Sequence, residues 1–472
     1  MGYHRLLVCI ILCSRYYSLA FAVNLNKFAV VPTSSFEQQA TCSPSSVSSD
    51  PNRASVPLVH RHGPCPPSPS AASGKPSLAE RLRRDRARAN HIITRASGRR
   101  TATTASDAGD RGTSIPTFLG DSVDSLEYVV TLGVGTPAVQ QTVLIDTGSD
   151  LSWVQCRPCG SGECYRQKDP LFDPSSSSSY ASIPCGSDAC RKLAAGSYGH
   201  GCATSVSGAS VCEYGIEYGD GATTTGVYST ERLTLKPGVV VTDFGFGCGD
   251  HQHGPFDKFD GLLGLGGAPE SLVSQTSSRF GGAFSYCLPP ASGSAGFLTL
   301  GAPSTNAGFS FTPLRRIPGA PATFYTVTLA GISVGGEPLA IPPSAFSSGM
   351  IIDSGTVITA LPATAYAALR SAFRSAMSEY RLLPPSDGGL DTCYDFTGHS
   401  NVTVPRVSLA FAGSATVELA VPSGVLVDGC LAFAGTGTTD GAIGIIGNVN
   451  QRTFEVLYDS GKGTVGFRAG AC

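Results

Sequence analysis

The most constraining feature of this 472-residue sequence is an internal repeat, in which one strand–turn–strand pattern occurs twice. The first copy is QQTVLIDTGSDLSWV at 140–154, and the second is SGMIIDSGTVITAL at 348–361. Each copy has an apolar strand, then an aspartate, a hydroxyl residue and a glycine, and then a second apolar strand. An apolar, glycine-containing element follows each copy, at 259–266 and at 441–449. The repeat predicts two related lobes, each with its Asp turn beside its later apolar strand.

A third Asp-Ser-Gly tripeptide, at 459–461, shows that the tripeptide alone is weak evidence. No apolar, glycine-containing element follows it, and the chain soon ends. Because Asp and Gly tolerate the left-handed conformations of tight turns, this copy predicts a plain hairpin turn. The paired context therefore selects Asp146 and Asp353 as the candidate catalytic residues.

Two aspartates held close together suit the hydrolysis of peptide bonds at acidic pH. Like charges a few ångströms apart cannot both ionise cheaply, so the pair shares one proton. The ionised carboxylate then takes a proton from water, while the protonated one donates to the substrate carbonyl oxygen. The residues around the aspartates fit supporting roles: glycines for the tight turns, hydroxyls that bond across the lobes, and hydroxyls that donate to an aspartate's outer oxygen. In that order, these residues are Gly148 and Gly355, Thr147 and Ser354, and Ser149 and Thr356.

Composition supports a mostly β protein. Charged residues are only 14% of the chain, and its 57 glycines and 32 prolines favour many short strands joined by turns. The length exceeds what one core usually serves, which favours two lobes plus a processed segment. One helix is readable at 361–380, with a buried apolar stripe at helical spacing. The stripe comprises Tyr366, Leu369, Phe373, Met377 and Tyr380.

The N-terminus has the pattern of a secretory signal at residues 1–22. Arg5 precedes an apolar run, and Ala20-Phe21-Ala22 offers a small-x-small cleavage site. No other stretch reaches the length of a membrane span, so we expect a soluble mature protein. We expect secretion, to the extracellular space or along a vacuolar route. A transit peptide that directs import into the chloroplast is the alternative.

Charge is distributed unevenly along the chain. Residues 1–119 carry 15 Lys and Arg against 6 Asp and Glu, whereas residues 120–472 carry 18 against 29. The basic part includes ERLRRDRAR at 80–88, followed by sequence typical of disorder. We interpret 23–119 as a basic propeptide, largely disordered at its C-terminal end, whose positive charge pairs with an acidic partner on the same chain. A propeptide that binds nucleic acid is the alternative, but no aromatic-interleaved or finger-like module accompanies the run. We expect no nucleic-acid partner for the mature protein, and we expect cleavage within 100–126.

Twelve cysteines lie outside the N-terminal segments, and seven of them crowd into a Cys-rich insert at 156–212. An even number in an exported chain predicts disulfides. A zinc site at Cys156, Cys159, Cys164 and Cys185 is the alternative, which the lack of matched pairs or nearby His disfavours. We therefore expect no metal and no other cofactor. The twelve are Cys156, Cys159, Cys164, Cys185, Cys190, Cys202, Cys212, Cys248, Cys287, Cys393, Cys430 and Cys472.

These features together resemble the pepsin-like aspartic peptidases over residues 126–472. DTGSD at 146–150 and DSGT at 353–356 match the two active-site signatures of that family, and Trp153 stands where the family places a Trp. The phrase Tyr218-Gly219-Asp220-Gly221 resembles the tip of the family's flap. The resemblance implies a bilobal, mostly β fold with lobes at 120–312 and 313–472 and the active site in the cleft between them. It also implies that Tyr218 is the flap tyrosine, near substrate, and accepts a hydrogen bond from the Trp153 indole.

The insert and the phrases FGCG, FSYCL and LVHRHGPC are similar to the nepenthesin-like plant enzymes. That resemblance implies a plant source, an acid optimum, a zymogen and six disulfides, with Cys393–Cys430 as the one pairing it specifies. Polypeptide substrates, pepstatin-type inhibitors and a monomeric state follow in the same way. Asn401 begins a glycosylation sequon. The alternative function is a catalytically silent binding protein on the same scaffold, as in plant xylanase inhibitors, but the motif residues are intact here.

Overall fold

The computed structural model describes residues 27–36, 54–60, 77–97 and 128–472, except for 161, 206–207, 219–220, 255, 257–258, 291–295 and 387. The expected signal peptide and the expected cleavage region at 100–126 lie outside the described residues.

Strands dominate the structure, in agreement with the expected mostly β class, and they form two lobes. The chain begins with three elements in the segment interpreted as a propeptide: β1 (Phe28–Pro32), β2 (Ala54–His60) and the helix α1 (Leu78–Ala96). The first-lobe elements are β3 (Tyr128–Val134), β4 (Val139–Asp146), β5 (Trp153–Gln155), β6 (Ala181–Ser182), α2 (Asp188–Ala195), β7 (Gly199–Thr204), β8 (Ser210–Glu217), β9 (Thr223–Lys236), β10 (Val239–His253), β11 (Gly261–Gly264), α3 (Leu272–Gln275), α4 (Ser277–Phe280), β12 (Ala283–Cys287), β13 (Gly296–Leu300) and β14 (Ser310–Pro313).

The second lobe follows with shorter strands and one long helix. Its elements are β15 (Thr326–Val327), β16 (Leu329–Val334), β17 (Glu337–Pro338), β18 (Met350–Ile352), β19 (Thr359–Leu361), α5 (Ala363–Ala376), β20 (Arg381–Leu383), β21 (Cys393–Asp395), β22 (Asn401–Pro405), β23 (Val407–Phe411), β24 (Thr416–Glu418), β25 (Leu426–Val427), β26 (Cys430–Leu431), β27 (Phe433–Gly435), β28 (Gly444–Ile446), β29 (Glu455–Asp459) and β30 (Thr464–Arg468). Short 3-10 helices occur at Thr33–Phe36, Pro174–Ser176, Pro343–Phe346, Ala412–Ser414 and Asn448–Gln451.

The predicted repeat is confirmed by the strand pairing around each Asp turn. In the first lobe β11 pairs in parallel with β4, and Gly264 lies opposite Asp146. In the second lobe β28 pairs in parallel with β18, and Ile446 lies opposite Ile352. Each aspartate therefore stands at the end of a strand that has a parallel partner, and the two positions are equivalent in the two lobes.

One large sheet joins the lobes and includes a strand from the N-terminal segment. Its order is β14-β30-β29-β12-β13-β2-β3-β4-β11-β5-β10-β9-β8-β7, and β6 pairs with β9. Strand β2 lies between β13 and β3, so it bridges two parts of the sheet that are distant in sequence. Strand β1 pairs antiparallel with β22 on the second lobe. The N-terminal segment is therefore built into both lobes.

The single helix expected in the second lobe is present as α5, Ala363–Ala376. Leu369, Phe373 and Met377 of its stripe are fully buried, which confirms their role in the core. The tripeptide at 459–461 forms the turn between the antiparallel strands β29 and β30, as predicted for the unpaired copy.

Helix α1 was not expected, and it extends beyond the basic run into sequence interpreted as disordered. That part of the interpretation was wrong for residues up to Ala96. The Ser77 side chain caps the helix by accepting from the Glu80 N–H, and Glu80 itself suits the positive end of the helix dipole. Ile92 and Ala96 are buried against the second lobe, and that burial stabilises the helix. Among the described residues, no helix is both long and apolar enough to span a membrane.

Candidate active site

Asp146 and Asp353 face each other across the junction of the two lobes, at the ends of β4 and β18. Both are fully buried. A methyl group built onto Gly148 would lie 2.8 Å from Oδ1 of Asp353, and one built onto Gly355 would lie 2.5 Å from Oδ1 of Asp146. Each carboxylate thus lies against the backbone of the opposite loop. Glycine is required at both positions because any side chain would displace a carboxylate.

The inner oxygen of each aspartate is held by its own turn. The N–H of Gly148 donates to Oδ1 of Asp146 over 2.9 Å, and the N–H of Gly355 donates to Oδ1 of Asp353 over 3.1 Å. Hydrogen bonds to a carboxylate favour its ionised form. The two loops therefore present their inner oxygens in the same way.

The outer oxygens are held by hydroxyl groups three residues further on. Ser149 Oγ donates to Oδ2 of Asp146 over 2.6 Å, and Thr356 Oγ1 donates to Oδ2 of Asp353 over 2.5 Å. These are the bonds expected from the sequence. Together with the glycine N–H groups, they fix the orientation of both carboxylates.

A second pair of hydroxyls ties the two loops to each other. Thr147 Oγ1 accepts from the Ser354 N–H over 2.9 Å, and Ser354 Oγ accepts from the Thr147 N–H over 3.1 Å. Each hydroxyl also donates to a backbone carbonyl of the opposite lobe, at Ile352 and Ile145. This reciprocal set fixes the separation of the two aspartates.

The hydrogen bond expected between Trp153 and Tyr218 is present on the first-lobe side. The Trp153 indole donates to the hydroxyl of Tyr218 over 2.6 Å, and both side chains are buried. Tyr218 follows the end of β8, and its N–H donates to the Ala222 carbonyl across the turn. The remaining flap residues named from the sequence, Gly219 and Asp220, lie outside the described residues.

Arg88 of α1 occupies the space between the two aspartates. Its Nη2 lies 2.6 Å from Oδ1 of Asp146 and 3.0 Å from Oδ2 of Asp353. Its Nε donates to Oδ2 of Asp353 and to Oγ1 of Thr356, both over 3.2 Å. The guanidinium is 1% exposed, so water does not screen these contacts. One basic residue of the N-terminal segment therefore fills the position between the two carboxylates.

Burial is the largest influence on the pKa of Asp146. Burial raises the pKa of Asp146 to about 6, the Arg88 charge opposes this rise, and the neighbouring Asp353 adds to it. The Ser149 and Gly148 donors also lower the pKa. With two carboxylates and one arginine in the same space, the group has a net negative charge when both carboxylates are ionised.

A second helix residue, Asp85, lies one turn before Arg88. Its two carboxylate oxygens accept from the N–H groups of Val357 over 2.6 Å and Ile358 over 2.9 Å, just after the DSGT turn. Burial raises the pKa of Asp85 to about 7, although the two N–H donors oppose the rise. Asp85 therefore satisfies two backbone donors of the second lobe.

Arg88 and Asp85 were not identified as site residues from the sequence. The charge of the 80–88 run was interpreted as pairing within the chain, but no residue was singled out. The signal available was spacing: Asp85 and Arg88 lie three apart, on the same face as Leu82, Ala89 and Ile92. A stripe of this kind within a highly basic helix indicates docking on an acidic, partly apolar cleft.

All twelve cysteines named from the sequence form disulfides, which rules out the zinc alternative. Cys393 is joined to Cys430, the pairing implied by the resemblance. The other five pairs are Cys156–Cys248, Cys159–Cys164, Cys185–Cys202, Cys190–Cys212 and Cys287–Cys472. The described residues contain no cluster of three or more metal-binding side chains. Asn401 lies exposed at the start of β22, opposite Pro32 of β1.

Comparisons with known proteins agree with this geometry. Two family models match, described as Xylanase inhibitor N-terminal over residues 128–302 and Xylanase inhibitor C-terminal over residues 324–469. The aspartyl protease AED1 of Arabidopsis thaliana is 42% identical over 95% of this chain and 93% of its own length. This chain belongs to the pepsin-like aspartic peptidases.

A further relative and a solved structure also resemble the chain over most of its length. Aspartic proteinase nepenthesin-1 of Nepenthes gracilis is 36% identical over 77% of this chain and 81% of its own. The crystal structure of basic 7S globulin from soybean matches with a TM-score of 0.56 at 21% identity, over 72% of this chain and 91% of that chain. At that identity the match speaks for the fold alone, and it confirms the expected bilobal architecture.

Proposed function

We propose that this chain is the precursor of an endopeptidase that hydrolyses polypeptides at acidic pH with Asp146 and Asp353. The observation that carries the proposal is the matched set of donors around the two carboxylates. Inner oxygens receive backbone N–H bonds, and outer oxygens receive hydroxyl bonds from Ser149 and Thr356. Two carboxylates oriented in this way share a proton and activate one water molecule between them.

In the proposed reaction the water occupies the space that Arg88 fills here. The ionised member of the pair removes a proton from the water as its oxygen attacks the peptide carbonyl carbon. The protonated member donates to the carbonyl oxygen, which gives a tetrahedral gem-diol intermediate. Proton return to the amide nitrogen then releases the amine and the new carboxyl group. The proton belongs to the pair, so neither residue has a fixed role.

We further propose that the N-terminal segment keeps the precursor inactive. Arg88 excludes water from the dyad, and Asp85 covers two backbone donors of the second lobe. On acidification Asp146, whose pKa burial raises to about 6, takes up a proton, and the loss of that charge weakens the attraction of the dyad for the guanidinium. Cleavage between α1 and β3 would then make the release of the helix irreversible.

The alternative is a silent binding protein, and the names of the matching family models favour it. Intact carboxylates with intact donors on both sides favour the enzyme. We expect a monomer with polypeptide substrates that is inhibited by pepstatin-type compounds. We also propose export along the secretory pathway. A fluorescent fusion of residues 1–40 that enters the chloroplast would contradict that route.

The test compares Asp353→Ala with Asp459→Asn after acid treatment of the full-length protein. Asp459 belongs to the unpaired Asp-Ser-Gly turn and is the matched control. We expect the parent and Asp459→Asn to cleave a denatured protein substrate in a pepstatin-sensitive manner, and Asp353→Ala to be inactive. Persistent cleavage in Asp353→Ala would overturn the mechanism, and an inactive but properly folded parent would favour the binding protein.

A further inference from the structure

The flap tyrosine belongs to a cluster of aromatic rings, which we call the flap cluster. Its members are Trp153, Tyr165, Tyr218, Phe256 and Phe259. Phe256 is central, because its ring makes edge contacts with both partners of the flap hydrogen bond. The ring centroids are 5.7 Å apart for Trp153 and 6.2 Å apart for Tyr218. The position of Phe256 therefore determines the space beside the Trp153–Tyr218 pair.

Tyr165 contributes the outer wall of the flap cluster, and it comes from the Cys-rich insert. Its ring stacks on Phe256 with centroids 4.9 Å apart and planes 15° apart. Its hydroxyl donates to the Phe259 carbonyl over 2.9 Å. Its backbone N–H and C=O both bond to the Gln155 side chain, and the preceding Cys164 is joined to Cys159. These contacts fix the position of Tyr165 independently of its contacts within the flap cluster.

The flap cluster lies close to the dyad. Strand β11 lies beside both, because its Leu262 is opposite Trp153 and its Gly264 is opposite Asp146. Trp153 and Tyr218 are fully buried, whereas Tyr165 and Phe256 are half-buried at the edge of the cluster. A substrate side chain next to the scissile bond, on the Tyr218 side, would meet the rings that Phe256 and Tyr165 hold in place.

We propose that Tyr165 is a positioning residue that acts through Phe256 and sets the preference of the flap-side pocket for large apolar or aromatic substrate side chains. This inference rests on the proposed peptidase function. It gives the Cys-rich insert a role in substrate selection, because the disulfide-stapled loop carries the ring that stacks on Phe256. A ring held by a stapled loop is pre-organised, so Phe256, which stacks on it, needs little ordering when substrate binds.

Three variants separate this role from general structural damage. Tyr165→Ala removes the stacking and the hydrogen bond, and Tyr165→Phe removes only the hydrogen bond to Phe259. Tyr180→Ala is the matched control, because Tyr180 lies in the same insert but contacts Phe172, outside the flap cluster. The first readout is the emission of Trp153, the only tryptophan in the chain. We expect a shift to longer wavelength in Tyr165→Ala and none in the other two.

The second readout is kcat and KM for two peptides that differ only in Phe or Ala before the scissile bond. In Tyr165→Ala we expect kcat/KM for the Phe peptide to fall about three- to tenfold, the scale of one aromatic contact. The loss should be in KM, and the Ala peptide should be unaffected. Equal losses for both peptides, an unchanged preference, or an unchanged Trp153 spectrum would overturn the proposal. A parent without activity on either peptide would instead refute the proposed function, and the spectrum alone would then decide whether Tyr165 orders the cluster.

Discussion

The two active-site loops match closely around the aspartates and differ in almost everything beyond them. In the first lobe, the loop around Asp146 lies beneath the flap cluster and beside the Cys-rich insert. In the second lobe, the loop around Asp353 continues into Val357 and Ile358, whose N–H groups are taken by Asp85 of α1. The comparison teaches that the duplicated part of the molecule carries the proposed chemistry. In the proposals made above, the parts that differ select the substrate and control when it reaches the dyad.

The largest expected effect concerns Arg88, which bridges the two loops. Arg88→Gln leaves both carboxylates without their cation, and breaking one partner of a buried ion pair costs about 3–5 kcal/mol. We therefore expect the intact, uncleaved variant to hydrolyse a peptide substrate about 100-fold faster or more than the uncleaved parent. Initial rates are measured while gel analysis shows the chain to be uncut.

Arg83→Gln is the matched control for that experiment. Arg83 lies on the same helix, but its side chain is 70% exposed and it makes only a 3.7 Å contact with Glu80. An increase in the uncleaved activity of Arg83→Gln equal to that of Arg88→Gln would show that helix charge in general, and not the bridge, blocks the site.

A smaller effect tests whether the two loops are equivalent at their outer oxygens. Ser149→Ala and Thr356→Ala each remove a hydrogen bond to a carboxylate, worth about 1.5–3 kcal/mol, so kcat should fall about 10- to 100-fold in both. Ser149→Thr and Thr356→Ser keep the donor and should retain most of the activity. A fall in kcat in only one of the two Ala variants would show that the two loops are not equivalent at their outer oxygens.

Ser149→Ala also has a predicted pH signature. The Ser149 bond lowers the pKa of Asp146, so its removal raises that pKa. A carboxyl with a higher pKa ionises only at higher pH, and the acid limb of the kcat/KM profile should therefore move to higher pH. A shift of the acid limb to lower pH would contradict the conclusion that the Ser149 bond lowers the pKa of Asp146.

The smallest effect is on stability and concerns the reciprocal hydroxyls. Thr147→Val and Ser354→Ala each leave a buried N–H without its acceptor, which should lower the free energy of unfolding by about 1–3 kcal/mol. Denaturant unfolding of the two single variants and the double variant measures this. Losses that simply add would show that the two bonds do not act as one lobe-to-lobe contact.

The sequence predicted the duplicated part of the site well, because each element there is local. A strand, an Asp turn and a second strand are encoded within about fifteen residues, and the parallel partner has its own apolar-glycine pattern. The donors Ser149 and Thr356 followed from fixed spacing to each aspartate. The Trp153–Tyr218 bond, by contrast, came from resemblance to a family, since no spacing rule brings residues so far apart together.

The asymmetric part could not be predicted because it depends on docking between distant segments. Helix α1 is stabilised by burial on the second lobe. Its composition predicted an acidic partner on the same chain but not which residues would meet there. Contact between Tyr165 and Phe256 depends on how a stapled loop folds back on β10. Disulfide pairings other than Cys393–Cys430 remained open for the same reason, since spacing alone allows many connectivities.

The most direct test of the central claim is whether Asp146 and Asp353 act as one unit. The measurement is kcat for Asp146→Asn, Asp353→Asn and the double variant, each processed with an added protease and assayed at acidic pH. Residues that act as a unit are strongly non-additive, so each single variant should lose roughly 10³-fold or more and the double variant should lose no more than either. Losses that multiply in the double variant, or a single variant that keeps substantial activity, would contradict the shared-proton dyad.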